Sequence, residues 1–313
     1  MNLLPIAGMV ALAISGLPLP QPAAAAPGSD ESAGRRTLMH DGIRRSYVLR
    51  LPPAVNGQRQ RLPLVIVLHG GGGNAAHAER MTGFTAKAAA ENFIVAYPEG
   101  SSRFRGRLLT WNAGHCCGYA MKSRVDDVGY LGALIDRLIS EHPVDARRVY
   151  VTGMSNGGMM THRLGIELSG KLAAIAPVAA ALFGDERKPA NPLPALMING
   201  MLDRSVPHRG GPPGGRFSGT WDGMPVKPAL AQLEFWAAVN GCSGTSASEE
   251  RGALLLWQQQ CPGGKSVALY LLRDTGHAWP GGERGNRRGD DPGHSLSATD
   301  VIWNFFRVHS RPQ

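Results

Sequence analysis

The amino-acid sequence predicts an α/β protein whose mostly parallel central sheet carries helices on both faces. Three observations lead to this fold class. Short, continuously apolar runs such as residues 64–68 are typical of strands buried on both faces of a sheet. Segments with apolar residues at helical spacing, such as residues 127–141, lie between these runs. Repeated alternation of strand and helix favours parallel strands joined by helical crossovers.

The individual elements follow in chain order. An antiparallel hairpin opens the predicted domain, because the alternating residues 46–51 follow a turn at Asp41-Gly42. Further strands are predicted at residues 64–68, 93–97, 148–152, 172–178, 195–198 and 266–272. Helices are predicted at residues 76–92, 127–141, 159–168, 228–240 and 297–308. A Gly- and Pro-rich insertion, residues 206–225, predicts a long loop over one face, which is often a lid or a binding loop.

Residues 1–25 are predicted to be a signal peptide, and residues 26–313 a single domain. The apolar run 3–19 is short and interrupted by Gly and Pro, and it ends in small residues of the kind that signal peptidase accepts. Cleavage after Ala25 is favoured over Ala26, because Pro27 would directly follow the second cut. No Lys or Arg precedes the run, so an uncleaved anchor or a misassigned start is the alternative. We expect a secreted protein, extracellular or periplasmic, that is free of the membrane after cleavage.

The four cysteines would then lie in an oxidising compartment. Cys242 and Cys261 flank a polar segment that a bond between them could close. Cys116 and Cys117 are adjacent, which leaves open a vicinal bridge, two reduced thiols or pairing elsewhere. No spacing typical of zinc ligands accompanies them, so no metal site is predicted.

The basic charge of the chain does not indicate a nucleic-acid partner. Lys and Arg number 33 against 24 Asp and Glu, a net charge of +9. The basic residues are scattered in pairs, as at Arg147-Arg148, and form neither a basic helix nor a stripe with aromatic residues. We therefore interpret the charge as an Arg-rich surface. The sequence carries no prediction of the oligomeric state.

A candidate nucleophile lies in the motif G-x-S-x-G at residues 153–157, between a predicted strand and a predicted helix. A sharp turn at this junction lifts the Ser155 hydroxyl above the sheet, and the flanking glycines allow close approach of neighbouring chain. The free N–H groups of the following helix point at the same place. This context predicts an activated serine, as in acyl transfer.

A histidine base and a carboxylate should follow the serine along the chain. His277 comes just after the last predicted strand, where an open α/β sheet carries its site. Asp203 follows the preceding strand and is the predicted partner of this imidazole. The alternative bases are His208, His294 and His309, and the alternative carboxylates are Asp222 and Asp274.

Two backbone N–H groups are predicted to bind the oxyanion of the tetrahedral intermediate. One belongs to Asn156, directly after the nucleophile, and the other to Gly71 or Gly72 in the glycine run after an earlier strand. Each such donor is typically worth about 3–4 kcal/mol of transition-state stabilisation. No Gly-Lys-Ser/Thr follows the glycines, so a phosphate-binding loop is not indicated.

These motifs together resemble the secreted polyhydroxybutyrate depolymerase and feruloyl esterase group, the family-one carbohydrate esterases. The resemblance spans about residues 37–308 and rests on an ordered set of short motifs: His69-Gly70-Gly71-Gly72, Trp111-Asn112, Cys116-Cys117-Gly118, Asp126-Asp127, residues 153–159, Asn199-Gly200 with Asp203, and residues 276–281. It implies a single α/β-hydrolase domain with Ser155, Asp203 and His277 as nucleophile, acid and base. It also implies no metal or organic cofactor, and a structural role for Asp127 and the adjacent cysteines near the site.

We therefore expect a secreted serine esterase that hydrolyses hydroxyalkanoate polyester or its oligomers. Trp111 and Trp279 are predicted to contact the substrate, and Trp221 is a further candidate for the cleft. An esterase for feruloyl or acetyl-xylan esters of plant polysaccharides is the alternative, because the same three side chains serve both reactions. A peptidase on this fold and a catalytically silent binding protein are further alternatives.

Overall fold

A ten-stranded sheet organises the part of the chain that the structure, a computed structural model, describes: Met1 and residues 34–53, 60–104, 106–215, 218–243, 246–285 and 287–312. Except for Met1, the predicted signal peptide lies outside these residues. The strands are β1 (Arg35–His40), β2 (Ile43–Arg50), β3 (Leu62–Leu68), β4 (Ile94–Pro98), β5 (Val144–Met154), β6 (Ala174–Val178), β7 (Ala195–Gly200), β8 (Ala247–Arg251), β9 (Leu254–Cys261) and β10 (Lys265–Leu272). The α-helices of the same residues are α1 (Ala75–Thr82), α2 (Phe84–Glu91), α3 (Gly118–Lys122), α4 (Asp127–Glu141), α5 (Asn156–Glu167), α6 (Ala229–Val239) and α7 (Ala298–Phe306).

The strand order is β1-β2-β4-β3-β5-β6-β7-β10-β9-β8. Strands β4, β3, β5, β6, β7 and β10 run parallel, and the hairpins β1–β2 and β8–β9 flank them antiparallel at the two edges. The predicted mostly parallel α/β sheet is confirmed. The carboxyl ends of β3, β5, β7 and β10 lie at one edge, so the loops that follow them can meet there.

Alternate residues of each central strand face opposite hydrophobic cores, as the pleat requires. On β3, Leu64 and Ile66 pack with helices α4, α5 and α6, whereas Val65 and Val67 pack with α1, α2 and α7. Because both faces are covered, β3 is buried at every position and reads as a continuous apolar run. Within the described residues, no helix combines the length and apolar character needed to cross a membrane.

Several predicted boundaries differ from the structure. The helix predicted at residues 76–92 is two helices, because Gly83 adopts a left-handed conformation (φ 65°) and ends α1. The helix predicted from residue 159 begins at Asn156. The hairpin β8–β9 was not predicted, because β8 is short and polar and the brief apolar run of β9, residues 254–257, is followed by three glutamines. Cys242 is bonded to Cys261 at the end of β9, and Cys116 is bonded to Cys117 across a cis peptide.

A buried ion pair joins the sheet edge to the loop that leads to the site. Arg45 on β2 donates to Asp127 Oδ1 at 2.6 Å, and the two side chains are 4% and 0% exposed. The guanidinium also lies 4.0 Å from the ring centroid of Tyr130. Asp127 Oδ2 accepts the backbone N–H of Asn112 at 2.8 Å. Removing the carboxylate would leave a buried cation without its partner.

We therefore expect Asp127→Asn to lower the free energy of unfolding by about 3–5 kcal/mol in urea titrations. Asp136→Asn is the matched control, because Asp136 lies on the same helix and pairs with Lys171 at the surface. It should cost less than about 1 kcal/mol. Equal losses for the two variants would contradict a structural role for the buried pair.

Candidate active site

Ser155 occupies a sharp turn between β5 and α5. Its backbone has φ 57° and ψ −124°, a conformation that costs roughly 1–3 kcal/mol and is found at functional sites. The motif glycines are required by packing. A Cβ on Gly153 would lie 2.7 Å from the Gly157 carbonyl oxygen, and a Cβ on Gly157 would lie 2.5 Å from the carbonyl oxygen of His69. The turn can therefore form only where both flanking residues lack a side chain.

The structure brings the three predicted side chains together in one hydrogen-bonded chain. His277 Nε2 lies 2.9 Å from Ser155 Oγ, and His277 Nδ1 lies 2.7 Å from Asp203 Oδ2. Asp203 follows β7 and His277 follows β10, which are neighbouring parallel strands. With the Nδ1 proton donated to Asp203, Nε2 is free to accept the proton of the serine hydroxyl.

Asp203 orients His277 by a hydrogen bond and stabilises the protonated form of its ring by charge. The carboxylate is 5% exposed, and its Oδ1 accepts the backbone N–H groups of Ser205 and Val206 at 2.7 and 2.8 Å. Burial lowers the pKa of His277, but the charge and hydrogen bond of Asp203, with the charge of Asp290, outweigh it and raise this pKa above its ordinary value. The site is thus built to stabilise the imidazolium that forms when the serine is deprotonated.

The two predicted oxyanion donors lie side by side. A Cβ built on Gly71 would lie 3.7 Å from the Asn156 Cβ. The Gly72 N–H donates to the Leu109 carbonyl oxygen at 2.7 Å, so the prediction of Gly72 as a donor is wrong. Within the described residues, neither the Gly71 nor the Asn156 N–H has a backbone acceptor. The candidate pair is therefore Gly71 and Asn156.

His69 holds the glycine loop in place, a role that sequence reasoning missed. Its ring is fully buried, and this burial lowers its pKa to about 4, so the imidazole is neutral. Nε2 accepts the Gly100 N–H at 3.0 Å, which leaves Nδ1 to donate to the Gly70 carbonyl oxygen at 2.8 Å. The position of His69 directly before the glycine run was the only signal in the sequence.

The structure contradicts substrate contact by Trp111, whereas Trp279 is nearly buried but lines a cavity beside Ser155 and His277. Trp111 is 0% exposed, and the Asn156 side chain brackets its backbone by accepting its N–H at 2.7 Å and donating to its carbonyl at 2.9 Å. Trp279 is 1% exposed and packs edge-on against Phe84. Both rings pack in the interior because bulky aromatic side chains fill the space beneath the loops. Trp221 lines the larger of the two cavities at the site.

In the described part of the chain, no alternative base or acid is hydrogen-bonded to Ser155. His309 is buried and lies 3.0 Å from Ser266 Oγ, whereas His294 is exposed. Asp274 accepts from Thr275 and Ser295. The second missed residue of the site is Asp290, whose Oδ2 accepts the His277 backbone N–H at 2.6 Å.

Ser155 and His277 line two cavities. The larger, of about 510 Å³, has a wall formed by Gly219, Thr220 and Trp221 of the insertion. The smaller, of about 350 Å³, extends towards Arg204 and Asp290. Paired backbone hydrogen bonds of 2.9 Å between Gly211 and Val226 close the base of the insertion. The insertion is thus a wall of the site, and both sides of a scissile bond have space.

His115 ties the insertion to two other loops. Its Nδ1 lies 2.6 Å from Asp222, next to Trp221, and its Nε2 lies 2.8 Å from Asp185. Burial lowers the pKa of His115, but the hydrogen bonds and charges of the two carboxylates raise it more, so the pKa lies above its ordinary value. Protonated His115 can donate to both carboxylates, whereas the neutral ring can donate to only one.

This linkage makes part of the stability pH-dependent. Because the pKa of His115 rises on folding, its contribution is complete below the unfolded pKa of about 6.5 and is lost as the pH rises through the folded pKa. We expect His115→Gln to lower the free energy of unfolding by about 1 kcal/mol at pH near 5.5, and by progressively less above neutrality. The exposed control His294→Gln should cost less than about 0.5 kcal/mol. A cost for His115→Gln that grows with pH would contradict this account.

Comparison with known proteins matches this geometry to a family. The family described as Esterase PHB depolymerase matches residues 45–207, just over half of the chain. The chain belongs to this family. It is a carboxylic ester hydrolase. The matched range of this esterase includes Ser155 and Asp203 but ends before His277. The assignment of His277 to the site therefore rests on the hydrogen bonds described above.

Two relatives agree with this assignment, and one solved structure shares the fold. The esterase is 33% identical to feruloyl esterase B of Piromyces equi over 249 residues, which cover 77% of the chain but only 44% of that protein. It is 30% identical to the putative esterase NocK of Nocardia uniformis subsp. tsuyamanensis, covering 82% and 76% of the two chains. Acetyl xylan esterase from Aspergillus awamori shares the fold, with a TM-score of 0.57, 15% identity, and coverage of 87% and 98%. The predicted α/β-hydrolase fold is confirmed.

Proposed function

We propose that this esterase hydrolyses hydroxyalkanoate polyester or its oligomers through an acyl-enzyme formed on Ser155. The observation that carries the proposal is the continuous chain of hydrogen bonds from Ser155 Oγ through His277 to Asp203. A serine hydroxyl needs such a base, because it is a weak nucleophile while protonated.

In the first half of the reaction, His277 Nε2 takes the hydroxyl proton as Ser155 Oγ attacks the ester carbonyl carbon. The negative charge moves to the carbonyl oxygen, where the Gly71 and Asn156 N–H groups stabilise it. The intermediate collapses, the bond to the alcohol oxygen breaks, and His277 returns its proton to the departing alcohol. In the second half, water replaces the alcohol, and the same steps release the acid and restore Ser155.

The shape of the site supports a substrate with a group on each side of the ester. A polyester or an oligomer supplies such groups, one for each of the two cavities. Phe104, Leu108, Tyr119 and Trp221 form an apolar wall suited to methyl-bearing repeat units. The family description, which names a PHB depolymerase, agrees with this class.

A feruloyl ester is the second candidate substrate. The Trp221 and Tyr119 rings in the larger cavity could stack on a planar aryl group. The relative from Piromyces equi carries the name of a feruloyl esterase, which favours the same candidate.

We further propose secretion and a single domain over residues 26–313. Two disulfides in the described residues favour an oxidising compartment, where such bonds persist. One sheet takes strands from Arg35 to Leu272, and α7 packs on it, which supports one folding unit.

Turnover of polyhydroxybutyrate, hydroxybutyrate oligomers and methyl ferulate, measured side by side on the purified protein, tests the substrate. We expect the highest kcat/KM with the hydroxybutyrate oligomers. A higher kcat/KM for methyl ferulate would favour the second candidate. Faster hydrolysis of an amide than of the matching ester would instead indicate a peptidase. Failure of a fluorophosphonate to label Ser155 would contradict the mechanism itself and favour a binding protein.

A further inference from the structure

Cationic side chains line the larger cavity, and acidic side chains of the described residues do not. Arg103 and Lys122 both line it, and no Asp or Glu does among the described residues. The remaining lining is mostly apolar or glycine, including Phe104, Leu108 and Trp221. Both cationic side chains belong to exposed residues, so they lie where the cavity meets water.

Neither cation has a carboxylate partner in the described part of the chain. The Arg103 guanidinium lies 4.7 Å from the ring centroid of Phe104, a contact that orients it without neutralising its charge. Lys122 is the last residue of α3 and forms no ion pair within those residues. Some other surface cations are paired, for example Arg163 with Glu167 and Lys171 with Asp136. The cavity therefore carries a local positive charge.

The smaller cavity has a different charge pattern. Asp290 lines it together with Arg204 and Arg288, and the Asp290 carboxylate accepts the His277 backbone N–H. An anionic group there would meet a negative charge close to the reacting atoms. The smaller cavity thus combines both signs of charge, whereas the described lining of the larger one is cationic only, so an anion on the substrate is favoured in the larger cavity.

We propose that the larger cavity selects esters bearing a carboxylate, specifically short hydroxyalkanoate oligomers with a free carboxyl end. Arg103 and Lys122 act as the specificity-determining residues, because charge-assisted hydrogen bonds to a carboxylate are stronger than those to a neutral ester. Each hydrolysis of a polyester leaves one new carboxyl end, so such oligomers arise from the reaction itself. This inference rests on the proposed function and narrows its substrate class.

The test compares each acid with its own methyl ester, on both sides of the scissile bond. On the acyl side, the pair is p-nitrophenyl hydrogen glutarate and p-nitrophenyl methyl glutarate. On the alcohol side, it is the 3-hydroxybutyrate dimer and the methyl ester of that dimer. We expect kcat/KM to favour the acid about tenfold in the dimer pair, because the free carboxyl group of an oligomer lies on the alcohol side of its scissile bond, and we expect this preference to weaken in 0.5 M NaCl.

The double variant Arg103→Gln/Lys122→Gln should lose that preference while still hydrolysing the methyl esters, whose turnover also reports that it is folded. Lys188→Gln, an exposed cation outside both cavities, should keep the preference. Hydrolysis of the neutral esters without any preference for the acids would overturn the inference and leave the esterase proposal intact. A preference for the acid that persists in the double variant would also overturn the inference and leave the esterase proposal intact. Turnover of none of the four compounds would overturn the proposed function itself.

Discussion

Replacing Ser155 with alanine should lower kcat for ester hydrolysis by about 10⁵–10⁶-fold, the largest effect expected of any single substitution in this protein. The variant lacks the oxygen that forms the acyl-enzyme, so His277 has no proton to accept and no covalent intermediate can form. Initial rates with p-nitrophenyl butyrate measure the loss. Fluorophosphonate labelling of the protein should disappear in parallel.

The matched control is Ser140→Ala, an exposed serine on α4 whose hydroxyl donates to the Arg137 carbonyl oxygen. Purified in the same way, it should retain wild-type kcat and labelling. Residual activity of Ser155→Ala within about tenfold of wild type would show that another residue is the nucleophile, since the oxyanion donors alone cannot supply that rate.

Replacing Asp203 with asparagine should lower kcat by about 10⁴-fold while the protein remains folded. An amide that donates to Nδ1 places the His277 proton on Nε2, where the ring can no longer accept the proton of Ser155. Loss of the Asp203 charge also lowers the pKa of His277, which this charge raises. The acid limb of kcat/KM, which reports this base in the free enzyme, should therefore move to lower pH.

Measuring kcat/KM between about pH 4 and pH 9 separates this prediction from a merely structural effect, which would leave the acid limb in place. Asp274→Asn is the control, because Asp274 is the other acid near His277 in sequence and instead contacts Thr275 and Ser295. It should change kcat less than about threefold. An acid limb that moves to higher pH in Asp203→Asn would contradict the assigned partner.

Sequence patterns anticipated the buried core strands and the three side chains of the hydrogen-bonded chain. Strands such as β3 have both faces covered, so their apolar runs are visible without any knowledge of neighbours. The G-x-S-x-G motif is also visible in a short stretch of sequence, although a Cβ on Gly157 would meet the carbonyl oxygen of His69 from a distant segment. The hairpin β8–β9 was missed because β8 is a short, polar strand at the edge of the sheet and carries no apolar run.

The sequence by itself determined the parallel sheet, the strained serine turn and the chain order of serine, acid and base. These depend on periodicity and short-range sterics, which a linear sequence records. Only the tertiary structure decided which of Gly71 and Gly72 is the candidate oxyanion donor. It also decided that Trp111 and Trp279 are buried and that His115 lies between two carboxylates. Those outcomes depend on contacts with backbone acceptors, rings and charges of distant segments. Such contacts exist only once the loops have packed.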